Sequence, residues 1–303
     1  MTSIQKIVYR IATIFFRFLG LLPLKWLRNI GRMAGRLFFL ASRKYRELTI
    51  ENLTCAFGHE KSPHEIRRMA CHVIQNLMQV PCEMALIPKL RYKDVGDIIR
   101  VEGFHHIEAA HKKGKGVLCL TAHIGNWEII PSVLSLLGDP PASVGRPLEF
   151  RAFDLLVSGF RTWHGGSVIP TGHSMRIILK ALKQGSIVGI LLDQRAKWHE
   201  GVLTDFFGRL ACTNKGLALL ALKIGAPVVP IFLVRDGSRF KMCCNSEVRV
   251  IRTGYKAKDI EINTQAYTKI IESMVLRYPT QWNWCYKRWK IKTCEPWPGT
   301  DST

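Results

Sequence analysis

The chain has 303 residues, of which 44 are lysine or arginine and 23 are aspartate or glutamate, so its formal net charge is +21. Hydrophobic residues make up 47% of the sequence, which is enough for a large buried core and excludes a disordered chain, a collagen-like chain and a small disulfide-stapled protein. A surplus of positive charge this large predicts an anionic partner: nucleic acid, a membrane surface, or an acidic protein or substrate.

The N-terminal segment, residues 1–45, is both basic and apolar. It contains no aspartate or glutamate, and Arg17 separates two apolar runs, Ile11–Phe16 and Phe18–Leu24. A membrane surface offers anionic headgroups and a place for Leu and Phe, so this pattern favours a helical, membrane-associating anchor over a nucleic-acid-binding arm. The alternatives are a marginal single span, although basic residues interrupt the apolar window, and a basic amphipathic helix of the core.

The next predicted element is a helix that begins at Ser62. Ser62 is a good N-cap, Pro63 suits the first helical position, and Glu65 completes a capping box. Apolar residues then recur at helical spacing as far as Val80, and Pro81 is expected to bend or end the helix. The first ~90 residues are therefore predicted to be mostly helical.

Beyond residue 90, short apolar runs alternate with helical patterns. This rhythm predicts an α/β fold in which a mostly parallel central sheet is flanked by helices. Strands are predicted at Val117–Thr121, Ile187–Leu192 and Pro227–Val234, with Phe240–Cys243 and Val248–Ile251 as candidates for two more. Helices are predicted at Ile129–Leu137, Met175–Leu182, Thr213–Ile224 and Thr264–Tyr278, the last of them capped by Asn263.

The nine cysteines are scattered, and none of them forms a CxxC pair. Their spacing gives neither a zinc site nor a disulfide framework, so a reducing compartment is expected. We predict no metal and no cofactor.

Polar residues follow the predicted strands at the positions where a parallel sheet places its active site. His123 follows the first buried strand, Asp193 follows the second, and Arg146 follows the segment Ala142–Gly145. The carboxyl ends of parallel strands lie at one edge of the sheet. A histidine, a carboxylate and an arginine at that edge predict a reaction centre.

His123 and Glu128 are the predicted catalytic pair. The two side chains can meet if His123 ends the strand, Glu128 begins the next helix, and Gly125 and Asn126 form the turn between them. A carboxylate on one imidazole nitrogen fixes the tautomer and lets the other nitrogen act as a general base. No serine or cysteine lies at an obvious nucleophile elbow, so direct transfer to an external hydroxyl is favoured over an acyl-enzyme. The alternative is a structural pair of buried side chains.

These motifs, in this order, resemble the bacterial late lipid A acyltransferases (lauroyl and myristoyl transferases) of the glycerolipid acyltransferase superfamily. The resemblance runs over almost the whole chain and rests on the basic, apolar N-terminus and on a series of short motifs. These are Thr121–Glu128, Gly145-Arg146-Pro147, Leu182–Gly185, Asp193-Gln194, Asp205–Gly208, Gly225–Pro230, Pro279–Trp284 and Arg288-Trp289.

The resemblance implies acyl transfer from acyl carrier protein to a hydroxyl of a lipid A precursor, at the cytoplasmic face of the cell inner membrane. It implies that His123 is the general base and that Glu128 orients it. It further implies an acyltransferase domain over residues 46–298 and a short tail over 299–303. The residues expected on the substrate side are Arg146, Asp193, Asn126 and, on weaker grounds, Arg161. The resemblance implies that Asp193 shapes the site or supports the base.

The sequence departs from the family pattern after Arg146-Pro147, where Leu148-Glu149-Phe150 follow, and after Asp193-Gln194, where Arg195 begins an unusual turn. Both departures affect the substrate side. Two alternatives therefore stay open: acylation of another glycolipid or a lysophospholipid, and a non-enzymatic basic protein that binds a membrane. Nucleic-acid binding is not expected, because no recognised nucleic-acid-binding module is present.

Overall fold

A seven-stranded sheet forms the centre of the molecule in the computed structural model, which describes residues 1–171 and 174–289. A separate two-stranded hairpin lies beside it. The strands are β1 (Ile99–Glu102), β2 (Val117–Thr121), β3 (Ala142–Gly145), β4 (Ser167–Pro170), β5 (Ile187–Leu191), β6 (Gly201–Phe206), β7 (Arg209–Asn214), β8 (Val228–Asp236) and β9 (Arg239–Cys244).

Helices cover the sheet and build most of the N-terminal third of the chain, as predicted. They are α1 (Ser3–Leu19), α2 (Leu24–Ala41), α3 (Arg43–Phe57), α4 (Pro63–Met84), the short turn α5 (Asp94–Asp97), α6 (His105–His111), α7 (Ile130–Leu136), α8 (Arg151–Thr162), α9 (Ser174–Lys183), α10 (Gly216–Ile224) and α11 (Lys256–Arg277).

The order of the strands in the sheet is β1-β9-β8-β2-β5-β3-β4. The five strands from β8 to β4 run parallel to one another, whereas β9 pairs with β8 in the antiparallel sense and β1 follows β9. All five residues of β2 are buried, as expected of a parallel strand with both faces covered. The predicted α/β fold with a mostly parallel central sheet is confirmed.

The N-terminal helices pack tightly on the rest of the protein through one face each. Helix α2 lies along α4, where Gly31 and Gly35 allow such a close approach that a Cβ atom at Gly35 would lie 2.4 Å from Gln75 Cα. Helix α1 contacts α8, and the rings of Phe16 and Phe160 are 5.2 Å apart. The predicted anchor boundary at residue 45 stays a prediction, and the tail 299–303 lies outside the described residues.

Within the part of the chain that the structure describes, no helix has both the length and the apolar character needed to cross a membrane.

Three local predictions were wrong. Asn263 does not cap the last helix, because α11 begins at Lys256 and the buried Asn263 amide instead bonds both backbone groups of Ile251. Residues 248–251 do not form a strand; only Val248 makes an isolated bridge. The helix predicted from Thr213 begins only at Gly216, because Thr213 and Asn214 belong to β7. Pro81 lies in the last turn of α4, which ends at Met84.

Candidate active site

Three neighbouring strands, β2, β5 and β3, carry the predicted polar residues at one edge of the sheet. His123 lies just beyond Thr121 at the end of β2, Asp193 just beyond Leu191 at the end of β5, and Arg146 directly after β3. Residues Thr121 and Leu191 are partners in the parallel register of β2 and β5. The shared register therefore brings His123 and Asp193 to the same height above the sheet.

His123 and Asp193 form a hydrogen-bonded pair. The His123 Nδ1 atom lies 2.8 Å from Asp193 Oδ1, and the His123 backbone N–H donates to Asp193 Oδ2 at 3.0 Å. The Trp282 indole N–H donates to the same Oδ2 at 2.7 Å. Three donors thus surround one buried carboxylate, which fixes its orientation toward the imidazole.

The environment of Asp193 favours its ionised form. Burial by itself raises the pKa of Asp193, but the nearby charge of His123 and the hydrogen bonds from His123 and Trp282 outweigh burial, and the net pKa is lowered. An ionised Asp193 can only accept hydrogen bonds, so the proton between the two side chains belongs to His123 Nδ1. The lone pair of the neutral imidazole is consequently on Nε2.

The Nε2 atom of His123 is the free end of this pair. Among the described residues, its hydrogen-bond partner is the Gln194 side-chain amide nitrogen, at a long distance of 3.4 Å. The His123 side chain keeps 19% of its surface exposed, while that of Asp193 keeps 2%. The arrangement can therefore accept a proton at Nε2 from a group that approaches from solvent, and Asp193 would stabilise the imidazolium that results.

Glu128 bonds to Arg161 rather than to His123, contrary to the sequence-based expectation. The Arg161 Nε and Nη2 atoms donate to the two Glu128 oxygens at 2.7 Å each, a bidentate ion pair. Burial lowers the pKa of Arg161, but the hydrogen bond and the charge of Glu128 more than reverse this, and the pKa is raised. Helix α7 begins only at Ile130, so Glu128 lies in the preceding turn, where α8 brings Arg161 to it.

Trp127 joins the two pairs. Its indole N–H donates to Glu128 Oε1 at 2.9 Å, and its ring meets the His123 ring edge-on with centroids 4.8 Å apart. Glu128 therefore contacts the imidazole through Trp127 and not by a hydrogen bond of its own.

Asn126 is buried, although the sequence led us to expect it on the substrate side. Its side chain has no exposed surface, and its amide nitrogen donates to Glu83 Oε2 at 2.9 Å and to the Val80 carbonyl at 3.2 Å. Both partners are acceptors, so the orientation of the amide is determined. In this arrangement Asn126 contacts other protein groups and lies away from solvent.

Arg146 is exposed and makes no ion pair with any residue in the described ranges. Arg161, the other predicted substrate-side arginine, uses Nε and Nη2 on Glu128, while Nη1 reaches toward Gly145. The Arg161 guanidinium group therefore lies near the carboxyl end of β3, which Arg146 follows directly in the chain. A small cavity of about 40 Å³ lies under this region and is lined by Thr121, Glu128 and Arg161, among others.

Two residues of the site were not identified from the sequence. Trp282 belongs to one of the motifs of the family resemblance, but nothing in its spacing indicates a bond to Asp193. Glu83 was not identified because its partner Asn126 lies far from it in the chain, so local spacing does not reveal the contact. Among residues 1–171 and 174–289, no three histidine, cysteine, aspartate or glutamate side chains come together as metal ligands.

An α/β sheet with a His–Asp pair at the carboxyl ends of its parallel strands is an arrangement that can accept a proton at an imidazole nitrogen. The sequence model of the bacterial lipid A biosynthesis acyltransferase family matches residues 2–291. The chain therefore belongs to this family and is an acyltransferase.

Individual relatives are distant. The chain is 27% identical over 279 residues to the lipid A biosynthesis palmitoleoyltransferase of Escherichia coli (strain K12), covering 89% of this chain and 87% of the relative. It is 22% identical to the lauroyltransferase of the same organism, with the same coverage. It is also 23% identical over 207 residues to the phosphatidylinositol mannoside acyltransferase of Mycolicibacterium smegmatis, covering 67% of this chain and 66% of the relative.

Proposed function

We propose that this protein transfers a fatty acyl group from acyl carrier protein to a hydroxyl of a lipid A precursor, without an acyl-enzyme. The observation that carries the proposal is the His123–Asp193 pair at the sheet edge, in which Nδ1 is engaged at 2.8 Å and the imidazole side chain stays 19% exposed. Family membership over residues 2–291 supports the acyl-transfer chemistry and the acceptor class.

In the proposed mechanism, His123 Nε2 removes the proton of the acceptor hydroxyl while the oxygen attacks the thioester carbonyl. The C–S bond then breaks, and the thiolate that leaves takes up the proton from the imidazolium. Asp193 stabilises the positive imidazole between these two steps. The products are the O-acylated lipid and the free thiol of the carrier.

The proposed catalytic pair is thus His123 with Asp193, which revises the His123–Glu128 pair that the sequence suggested. Glu128 becomes a positioning residue, since it bonds Trp127 and fixes Arg161. Its contacts support a role in holding the wall of the site. They do not give it direct access to the imidazole nitrogen atoms.

The proposed acceptor contact is Arg146. It is exposed at the carboxyl end of β3 and is not neutralised by a described acidic residue. A guanidinium group presents planar, paired donors that suit phosphate, so Arg146 would bind a phosphorylated headgroup. Arg161 would contribute through Nη1, the donor atom that Glu128 leaves free.

The proposed place of action is the cytoplasmic face of the inner membrane, and the outer faces of α1 and α2 support it. Large apolar side chains recur on these faces every three or four residues and are 37–71% exposed. Exposed apolar stripes of this kind, flanked by lysine and arginine, suit helices that lie in an anionic lipid surface. They are Ile4, Ile7, Ile11, Ile14 and Phe18 on α1, and Trp26, Ile30, Met33, Leu37 and Leu40 on α2.

Replacement of the base tests the proposal. His123→Ala, assayed with acyl carrier protein thioester and a lipid A precursor, should lower kcat by ~10²–10⁴-fold, the usual contribution of a positioned base. Its thermal unfolding should stay close to that of the unaltered protein. Unchanged turnover in a folded His123→Ala protein would refute the role of His123.

A comparison of acceptors separates this function from acylation of another glycolipid or a lysophospholipid. The unaltered protein is supplied in parallel with a lipid A precursor, a phosphatidylinositol mannoside and a lysophospholipid. The first should be acylated fastest. Lipid A from cells that lack the protein should then show one missing secondary acyl chain by mass spectrometry, and an intact lipid A would count against the proposed acceptor.

A further inference from the structure

A cluster of buried charges lies under the loop that carries His123. Glu83 on α4 has no exposed surface and accepts hydrogen bonds from two arginines. Arg28 Nε donates to Oε1 at 2.8 Å, and Arg235 Nη2 donates to Oε2 at 2.7 Å. A third donor, the Asn126 amide, bonds Oε2 at 2.9 Å. The three ionised side chains come from α2, α4 and β8, and their net charge is +1.

The cluster holds the turn directly after His123. Arg235 Nη1 donates to the Gly125 carbonyl at 3.3 Å, and Glu83 holds Asn126 by its side chain. On its other side, the turn is bonded through its backbone: Gly125 N–H donates to the Gln281 carbonyl and Asn126 N–H to the Leu233 carbonyl, both at 2.9 Å. Gly125 itself has a φ of 62°, and a Cβ atom there would clash with the Leu233 oxygen, so only glycine lets the turn approach β8 this closely.

A buried ion cluster of this kind is a poor device for stability alone. Removing three charged groups from water costs free energy that well-packed apolar side chains do not incur. Such a cluster does fix the orientation of the groups bonded to it, because hydrogen bonds to a fixed carboxylate define both distance and angle. Here the groups whose orientation is fixed are Gly125 and Asn126, and His123 is only two residues from Gly125.

We propose that Glu83 is a positioning residue for the reaction: through Asn126 and Arg235 it sets the turn that aligns His123 with Asp193. Arg28 extends the same cluster to α2, whose outer face is the proposed lipid-contacting surface. The Arg28 Nη1 and Nη2 atoms also donate to the Gly237 and Arg239 carbonyls. This inference rests on the proposed function only in taking His123 as the base.

The test is Glu83→Gln, compared with Glu83→Asp. Glutamine keeps the shape but replaces an acceptor oxygen with a donor, which must face an arginine or the Asn126 amide. We expect kcat to fall by about 10–100-fold while KM for both substrates stays within about threefold, since Glu83 is too buried to touch either. Aspartate restores the charge and should recover part of kcat.

A matched control separates positioning from general destabilisation. Asp259→Asn makes the same carboxylate-to-amide change at a buried carboxylate on α11, which bonds the Thr253 backbone and hydroxyl at 2.6 and 2.7 Å. We expect this variant to unfold at a lower temperature yet keep kcat when assayed well below its Tm. Equal kcat losses in Glu83→Gln and Asp259→Asn, at matched distances from Tm, would overturn the proposal.

A second variant covers the case in which Glu83→Gln does not fold. Asn126→Ala removes one of the two links between the cluster and the turn, and leaves the Glu83–arginine bonds and the Arg235–Gly125 bond in place. A fall in kcat at constant KM supports positioning, whereas a rise in KM at constant kcat overturns it in favour of substrate binding by Asn126. His123→Ala is assayed alongside. If His123→Ala is inactive while Glu83→Gln and Asn126→Ala have full kcat, the positioning role of Glu83 is refuted and the proposed function stands. If His123→Ala is fully active, both proposals fail.

Discussion

At the scale of single residues, the site contains two buried carboxylates with different partners. Asp193 accepts from the imidazole and the Trp282 indole, whereas Glu128 accepts from the Arg161 guanidinium and the Trp127 indole. The first carboxylate is in contact with the proposed base, and the second with a cation. The two should therefore fail in different ways when each is replaced by its amide.

We predict that Asp193→Asn mainly lowers turnover. An asparagine amide facing Nδ1 would donate to it and move the ring proton to Nε2, so that the base loses its acceptor lone pair. Turnover should drop on the order of 10²–10⁴-fold, with a small change in unfolding free energy. Steady-state kinetics and urea unfolding measure the two effects on the same sample.

Glu128→Gln should lower the free energy of unfolding more than it lowers turnover. It leaves the Arg161 charge without its carboxylate in a site where the arginine side chain is only 18% exposed. Breaking a largely buried pair by removing one partner costs ~3–5 kcal/mol, so stability should fall more than in Asp193→Asn, and turnover less. If Glu128→Gln abolishes turnover and Asp193→Asn retains it, the original His123–Glu128 pairing is the better description of the reaction.

At the scale of elements, the sequence predicted where the reactive residues lie but not how they pair. Strand period and chain order placed His123, Asp193 and Arg146 at strand ends, and the shared edge follows from parallel strands. The choice between Glu128 and Asp193 depends on the register of β2 with β5 and on Arg161 arriving from α8. Neither is encoded in local spacing.

The misplaced start of α11 has a related cause. Asn263 looks like an N-cap because its amide would suit an exposed helix end. In the folded chain it lies inside α11, where the segment at Ile251 provides both a donor and an acceptor for it. A buried amide satisfied by a distant segment cannot be distinguished from a cap by sequence alone. The β6–β7 hairpin was missed in the same way, since its partner strands are identified only by pairing.

The contact between α2 and α4 gives a prediction at this scale. Alanine is normally preferred over glycine inside a helix by ~1 kcal/mol, yet at Gly35 a Cβ atom would lie 2.4 Å from the Gln75 backbone. Gly35→Ala should therefore destabilise the protein by ~1–3 kcal/mol, because the two helices must move apart. Gly159→Ala in α8 is the matched control: a Cβ atom there meets nothing within 4 Å, and this variant should be slightly more stable. Thermal unfolding of both variants makes the comparison, and equal shifts in Tm would contradict the packing argument.

At the scale of the whole molecule, the net charge of +21 is distributed over several tasks. Three arginines form buried ion pairs with glutamates: Arg28, Arg235 and Arg161. Arg146 remains exposed at the carboxyl end of β3, and many of the basic residues of α1 and α2 flank the exposed apolar faces. The surplus charge therefore supports binding to an anionic lipid surface and attraction of an acidic donor protein, with both contributions weakened by salt.

The last prediction concerns the proposed lipid-contacting faces of α1 and α2. Leu37→Ser removes an apolar side chain that is 65% exposed on α2, and Leu276→Ser is the matched control, because Leu276 is 53% exposed on α11, which packs on α10 and β6. Burying a leucine side chain completely is worth ~1.5–3 kcal/mol, so Leu37→Ser should weaken sedimentation with phosphatidylglycerol-containing vesicles by on the order of 10- to 150-fold. Leu276→Ser should leave vesicle binding unchanged.

Raising NaCl should weaken vesicle binding of the Leu37→Ser and Leu276→Ser proteins by a similar factor, because salt screens the charges and leaves the apolar contribution in place. Equal binding of the two variants would show that the α2 face does not enter the lipid surface.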